Sequence, residues 1–149
     1  MQLSPARTPL AELDEARFST TEVTRFSRAA ARQLDYWARI GALIPTVEAH
    51  GSGTQRRYTA HEARMAWAIR VAHEATSSSN SPGGGIAQRI GDALRPLNPW
   101  AGILVVGTGT PIIVEHVLAL LDAFAELGPA VVTVDLDTCP DPSACRVAA

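Results

Sequence analysis

Apolar positions recur at helical spacing from Val23 to Leu94 and then give way to short continuous apolar runs. Val23 and Phe26 lie one turn apart, behind Ser19-Thr-Thr-Glu22. Thr20 or Thr21 is expected to cap this first helix, because a hydroxyl there satisfies an orphan amide and Glu22 suits the positive end of the dipole. The helix should end near Arg28. A second helix is expected from about Ala30 to Ile40, with Leu34, Trp37 and Ile40 (or Ala38) as its buried stripe. That leaves Arg32, Gln33, Asp35, Tyr36 and Arg39 for its other faces. Gly41 follows the last apolar position and reads as the C-cap. Leu43-Ile-Pro45 and Val47 then read as an extended strand, His50 to Gly53 as a flexible tip, and Gln55-Arg-Arg-Tyr58 as the returning strand.

Thr59-Ala-His-Glu62 matches a capping box and opens a third helix to about Ala75, with Met65, Ala66 and Ile69 inward. Residues 76–85 are a Ser/Asn/Pro/Gly loop, and Ile86 to Leu94 form a fourth helix, stopped by Pro96. After Pro96 the period changes. Gly102 to Val106 reads as a strand buried on both faces, and Ala130 to Leu136 as another. Between them, Pro111 to Leu127 is expected to be helical, with Ile113, Val117, Leu120, Leu121 and Phe124 on one face. The expected class is α+β: a winged helix-turn-helix of four short helices and a β-hairpin wing, then a small C-terminal β-α-β unit. The boundaries are a tail over 1–17, the helical domain over 18–95, the β-α-β unit over 96–137 and a second tail over 138–149.

Charge gives this outline a direction. Lysine is absent, and residues 1–76 carry ten arginines against eight acids, a net of +2. Residues 77–149 carry three against seven, a net of −4. The helical half is therefore the one expected to face a polyanion. A helix fits the major groove, so Arg32, Gln33, Tyr36 and Arg39 are expected to reach base edges and phosphates there. Arg56 and Arg57 are expected beside the phosphates or in the minor groove, helped by the Ser52 and Thr54 hydroxyls. Adjacent arginines on a strand point to opposite faces, so only one of the two is expected to touch DNA. The amides at Thr20 and Thr21 are placed to receive a phosphate. Trp37 lies on the Leu34 stripe and is assigned to the core.

Three blocks keep their order and spacing: Ser19-Thr-Thr-Glu-Val23, Gln33-Leu-Asp-Tyr-Trp-Ala-Arg-Ile-Gly-Ala-Leu-Ile-Pro45 and Gln55-Arg-Arg-Tyr58. Over about residues 18–95 the chain resembles the MerR family of bacterial transcriptional regulators, in spelling most like an actinobacterial branch. The resemblance implies a winged-helix DNA-binding protein that bends or untwists its duplex. Tyr58, which closes the third block, joins the DNA-facing set, and motif position favours Arg56 as the wing contact. Two departures stand out. Asp35 occupies the position where the family carries arginine; it is expected to accept from a base amine or to pair with Arg32 or Arg39. The family's long dimerisation helix is replaced by the C-terminal unit.

The expected function is sequence-specific transcriptional regulation on double-stranded DNA, as a homodimer on a palindromic site. Two strands and one helix cannot cover both faces of their own sheet, so the C-terminal unit is expected to dimerise or to dock a partner such as RNA polymerase. The alternatives are a phage-type excisionase and a regulator whose C-terminal unit senses a small ligand or metal. Gly107-Thr-Gly109-Thr lacks the third glycine of a dinucleotide fingerprint and reads as a tight turn. Cys139 and Cys145, spaced C-x5-C without an adjacent histidine, read as free thiols rather than metal ligands. No nucleophile–base–acid set is recognisable, so no enzyme activity, cofactor or metal is expected. No apolar run is long enough for a bilayer and Met1 to Asp14 lacks a signal-peptide core, which points to a cytoplasmic, nucleoid-associated protein without membrane contact.

Overall fold

The computed structural model describes residues 16–49, 55–76, 84–97, 100–107, 111–116, 119, 122–123 and 132–142. β1 (Phe18–Ser19) leads into α1 (Thr20–Ser27) and α2 (Ala31–Ile40), and β2 (Arg57–Tyr58) leads into α3 (Ala60–Thr76) and α4 (Gly84–Leu94). β3 (Ile103–Val106), β4 (Ile112–Val114) and β5 (Val132–Asp135) follow, closed by a 3-10 turn at Leu136–Thr138. The described chain is therefore mixed α+β, with four helices and two small sheets, in agreement with the expected class.

The helix starts follow from side-chain chemistry. At α1 the cap is Ser19, not Thr20 or Thr21. Its Oγ accepts the Glu22 N–H at 3.2 Å, and Glu22 Oε1 accepts the Ser19 N–H at 3.1 Å. At α3, Thr59 and Glu62 make the same reciprocal pair, at 3.1 and 3.3 Å. Each box satisfies two orphan amides. Glu62 does more: it also accepts the Thr46 N–H at 2.8 Å and the Thr46 hydroxyl. This fixes the segment leading to Val47, although burial pushes the Glu62 carboxyl above its ordinary range. Between α1 and α2, Arg28 turns the chain at φ +62°, a left-handed conformation disfavoured for residues other than glycine. Gly41 ends α2 at φ +80°, as its position predicts.

The helices bury one stripe each: Val23 and Phe26 from α1, Leu34 and Trp37 from α2, Met65, Ala66 and Ile69 from α3, and Ile90 and Leu94 from α4. β1 and β2 pair antiparallel, with Phe18 opposite Tyr58. On the other side of β2, Val47 and Arg57 exchange two backbone hydrogen bonds at 2.9 and 3.1 Å. The expected hairpin is thus a single bridge among the described residues, and the tip over 50–54 lies outside them.

The C-terminal half departs further from expectation. Ile112 to Val114 was assigned to a helix but forms β4, antiparallel to β3. β5 pairs antiparallel on the other side, giving the order β4-β3-β5. The helical pattern survives at Ala119, Asp122 and Ala123; residues 117–118, 120–121 and 124–127 of the expected helix lie outside the described residues. Leu104, Val106, Ile113 and Val134 face the core shared with the helices, and β5 packs against α3. Ile103, Val105, Ile112 and Val114 gather around Ala123 on the opposite face. β3 is buried on both faces, as its continuous apolar run predicts. α3 thus covers one face of this sheet, a packing not expected of a separate β-α-β unit.

His61 ties α3 to the end of α4. Its Nε2 lies 3.0 Å from Leu94 O and 3.2 Å from Arg95 O, so the ring is the Nε2–H tautomer, and its edge meets Trp100 at 5.6 Å. Burial lowers its pKa below the ordinary 6.5, with the two carbonyl contacts opposing. A depressed folded pKa gives stability that is present above the unfolded value and is lost as pH falls through the folded one. Acidification from about pH 7 to about pH 5 should therefore destabilise the wild type more than His61→Gln in urea unfolding. Equal acid slopes would contradict this role.

Candidate nucleic-acid interface

α2 has two opposed faces. Leu34 and Trp37 point into the core, with Ala38 beside them half-buried. Arg32, Asp35, Tyr36 and Arg39 recur at three- and four-residue spacing and share the outer face. Tyr36 is 43% exposed and the Arg39 side chain 69% exposed, its guanidinium carbon 6.0 Å from the Tyr36 ring centre. Arg32 is exposed and, among the described residues, makes no ion pair. One aromatic side chain and two cations therefore project from a single helix face, held by two core residues on the other side.

The chain alternates around β2. Arg56 and Tyr58 turn inward, while Arg57 turns to solvent. The Arg56 guanidinium lies between two carboxylates: Nη1 is 3.1 Å from Asp35 Oδ1 on α2, and Nε pairs with Glu48. Asp35 Oδ2 also meets Arg39 at 3.4 Å. Asp35 thus joins the outer face of α2 to the segment leading into β2. Its pairing with Arg39 matches expectation; its pairing with Arg56 and the part played by Glu48 do not follow from the motifs. The Arg56 side chain is left only 22% exposed, so Arg57 is the arginine of this pair that is open to solvent.

Two other expected contacts, Tyr58 and Gln33, take different places. Tyr58 is completely buried and cannot reach a groove; it belongs to the core. Gln33 turns back on its own helix, where its Oε1 accepts the Ala30 N–H at 2.8 Å, supplying the cap that Ala30 lacks. Thr21 is exposed and Thr20 half-buried at the head of α1, with the Glu22 carboxylate already accepting there. Ser52, Thr54 and His50 lie outside the described residues.

Burial raises the pKa of the Tyr58 phenol; the neighbouring Thr20 hydroxyl and Arg56 guanidinium pull the other way. Neither makes a well-formed hydrogen bond to it, so the buried hydroxyl has no partner. Tyr58→Phe is therefore expected to stabilise the protein by about 1 kcal/mol and to leave ligand binding unchanged. A lower urea midpoint would contradict the unpartnered hydroxyl.

Among the described residues no group of three or more His, Cys, Asp or Glu side chains is arranged to hold a metal ion, and no helix is long and apolar enough to cross a membrane. Burial pushes the Cys139 thiol up to about 11, so it is protonated at neutral pH; Cys145 lies outside the described residues. Comparison with protein-family models gave no match, and comparison with curated proteins gave none either.

Proposed function

We propose that the chain is a sequence-specific, DNA-binding transcriptional regulator. In this reading α1 and α2 form a helix-turn-helix, α2 enters the major groove through Arg32, Tyr36 and Arg39, and the Val47–Arg57 segment is a wing with Arg57 beside the phosphates. The observation that carries the proposal is the division of α2 into a core face and an outer face of cations and one aromatic, next to an outward arginine on the adjoining strand. The resemblance of the three sequence blocks to MerR regulators supports the same assignment. One protomer offers few base contacts, and each good one gives roughly 1–3 kcal/mol of discrimination. Specific binding therefore calls for two protomers on an inverted repeat.

Selection of duplexes from a random library by the full chain tests this reading. It should enrich an inverted repeat whose half-sites lie about one or two helical turns apart. No enrichment over unselected DNA would refute it, and clustered direct repeats would favour an excisionase-like architectural protein instead.

A further inference from the structure

We infer that Asp35 is a specificity-determining residue: by holding Arg39 in an ion pair, while sharing Arg56 with Glu48, it withholds Arg39 from unselected DNA and favours sites that offer its carboxylate a base amine. The inference rests on the DNA-binding reading above.

The geometry supplies the first half. Non-specific affinity comes from cations that neutralise phosphates and release condensed counterions. Of the cations on α2 and the wing, Arg32 and Arg57 carry no ion pair among the described residues, whereas Arg39 and Arg56 converge on the two oxygens of Asp35 at 3.4 and 3.1 Å. Glu48 takes a second side of the Arg56 fork. Each pair is weak by itself, because Asp35 is 49% and Glu48 41% exposed. Together, however, two carboxylates occupy two of the four available guanidinium groups and would face any approaching phosphate with like charge.

Groove chemistry supplies the second half. A carboxylate on the outer face of a major-groove helix can accept from cytosine N4 or adenine N6. At a site with such an amine, Asp35 exchanges its arginines for the base; Arg39 turns to the backbone, and Arg56 stays with Glu48. At a site without one, the carboxylate either keeps its arginines or loses its partners on desolvation. Asp35 then separates the two classes of site by a contact that an aliphatic or cationic residue in its place would not make.

The test is a fluorescence-anisotropy titration of the full chain on a mixed-sequence duplex and on the best duplex from the random-library selection, each at several salt concentrations. Asp35→Ala and Asp35→Leu remove both the charge and the acceptor, and circular dichroism confirms that each variant is folded. On mixed-sequence DNA both variants should bind more tightly than the wild type. Their plots of log affinity against log salt should be steeper by about 0.9, the equivalent of one new phosphate contact from Arg39, because Glu48 still holds Arg56. The preference for the selected duplex should fall by at least about fivefold. A folded variant with an unchanged salt slope and unchanged preference would overturn the filter while leaving DNA binding in place. Failure of the wild type to bind either duplex would overturn the DNA-binding reading, and this inference with it.

Discussion

Replacing Gly91 with alanine should cost about 3 kcal/mol or more, toward or beyond the upper end of what overpacking usually costs. A Cβ at this position would lie 2.0 Å from the carbonyl oxygen of Ala42 and 2.8 Å from its carbon. Both sides of this contact are backbone. Gly91 sits within α4, and Ala42 is held in the turn after α2 by its N–H bond to Trp37 O at 2.9 Å. No rotamer change relieves it, so either α4 moves away from α2 or the turn opens. Because domains of this size are stable by only about 5–15 kcal/mol, such a loss is plainly visible in urea unfolding. Gly41 is the control. It has φ +80° but no atom within 4 Å of an added Cβ, so Gly41→Ala should cost only about 1 kcal/mol of backbone strain. Equal midpoints for the two variants would show that the α2–α4 contact is not close-packed.

The second large effect separates two neighbours on α2. Trp37 is buried and belongs to the shared core, so Trp37→Ala should cost about 3–5 kcal/mol through lost transfer energy and the cavity left behind. Tyr36 is half-exposed on the opposite face, and Tyr36→Ala should change stability by no more than about 0.5 kcal/mol. On DNA the order reverses: a folded Tyr36→Ala should bind the selected duplex more weakly. Thermal unfolding and anisotropy on the two variants measure both quantities. Loss of stability in Tyr36→Ala, or its absence in Trp37→Ala, would contradict the orientation of the helix.

The helical half is legible in the sequence because its signals are local. The Leu34–Trp37 stripe, the Gly41 cap and the Thr59–Glu62 box each need only a few neighbouring residues. The Ser19–Glu22 box has the same S-x-x-E spelling, yet the two threonines after Ser19 draw the cap one or two residues too far along. The Arg56/Arg57 exchange was also within reach. Tyr58 is a large aromatic opening a capped helix, and strand alternation places Arg56 on its side and Arg57 on the other. Motif position pointed the opposite way, since it carries no information about Asp35 and Glu48 as competitors for the guanidinium. β1 and β2 are two residues each, too short for any period, and their pairing depends on residues some forty positions apart. At Ile112 to Val114, a helical reading that extends to Phe124 outweighs three β-branched residues, which the β3 edge draws into a strand.

The affinity of the wild type, Tyr36→Ala and Arg57→Ala for the selected duplex, with all three shown to be folded, tests the proposed DNA-facing surface. Nearly equal stabilities are expected, with weaker binding in both variants and, for Arg57→Ala, a salt slope shallower by about 0.9. If both variants bind as the wild type does, with the same salt slope, the outer face of α2 and Arg57 are not a DNA-binding surface.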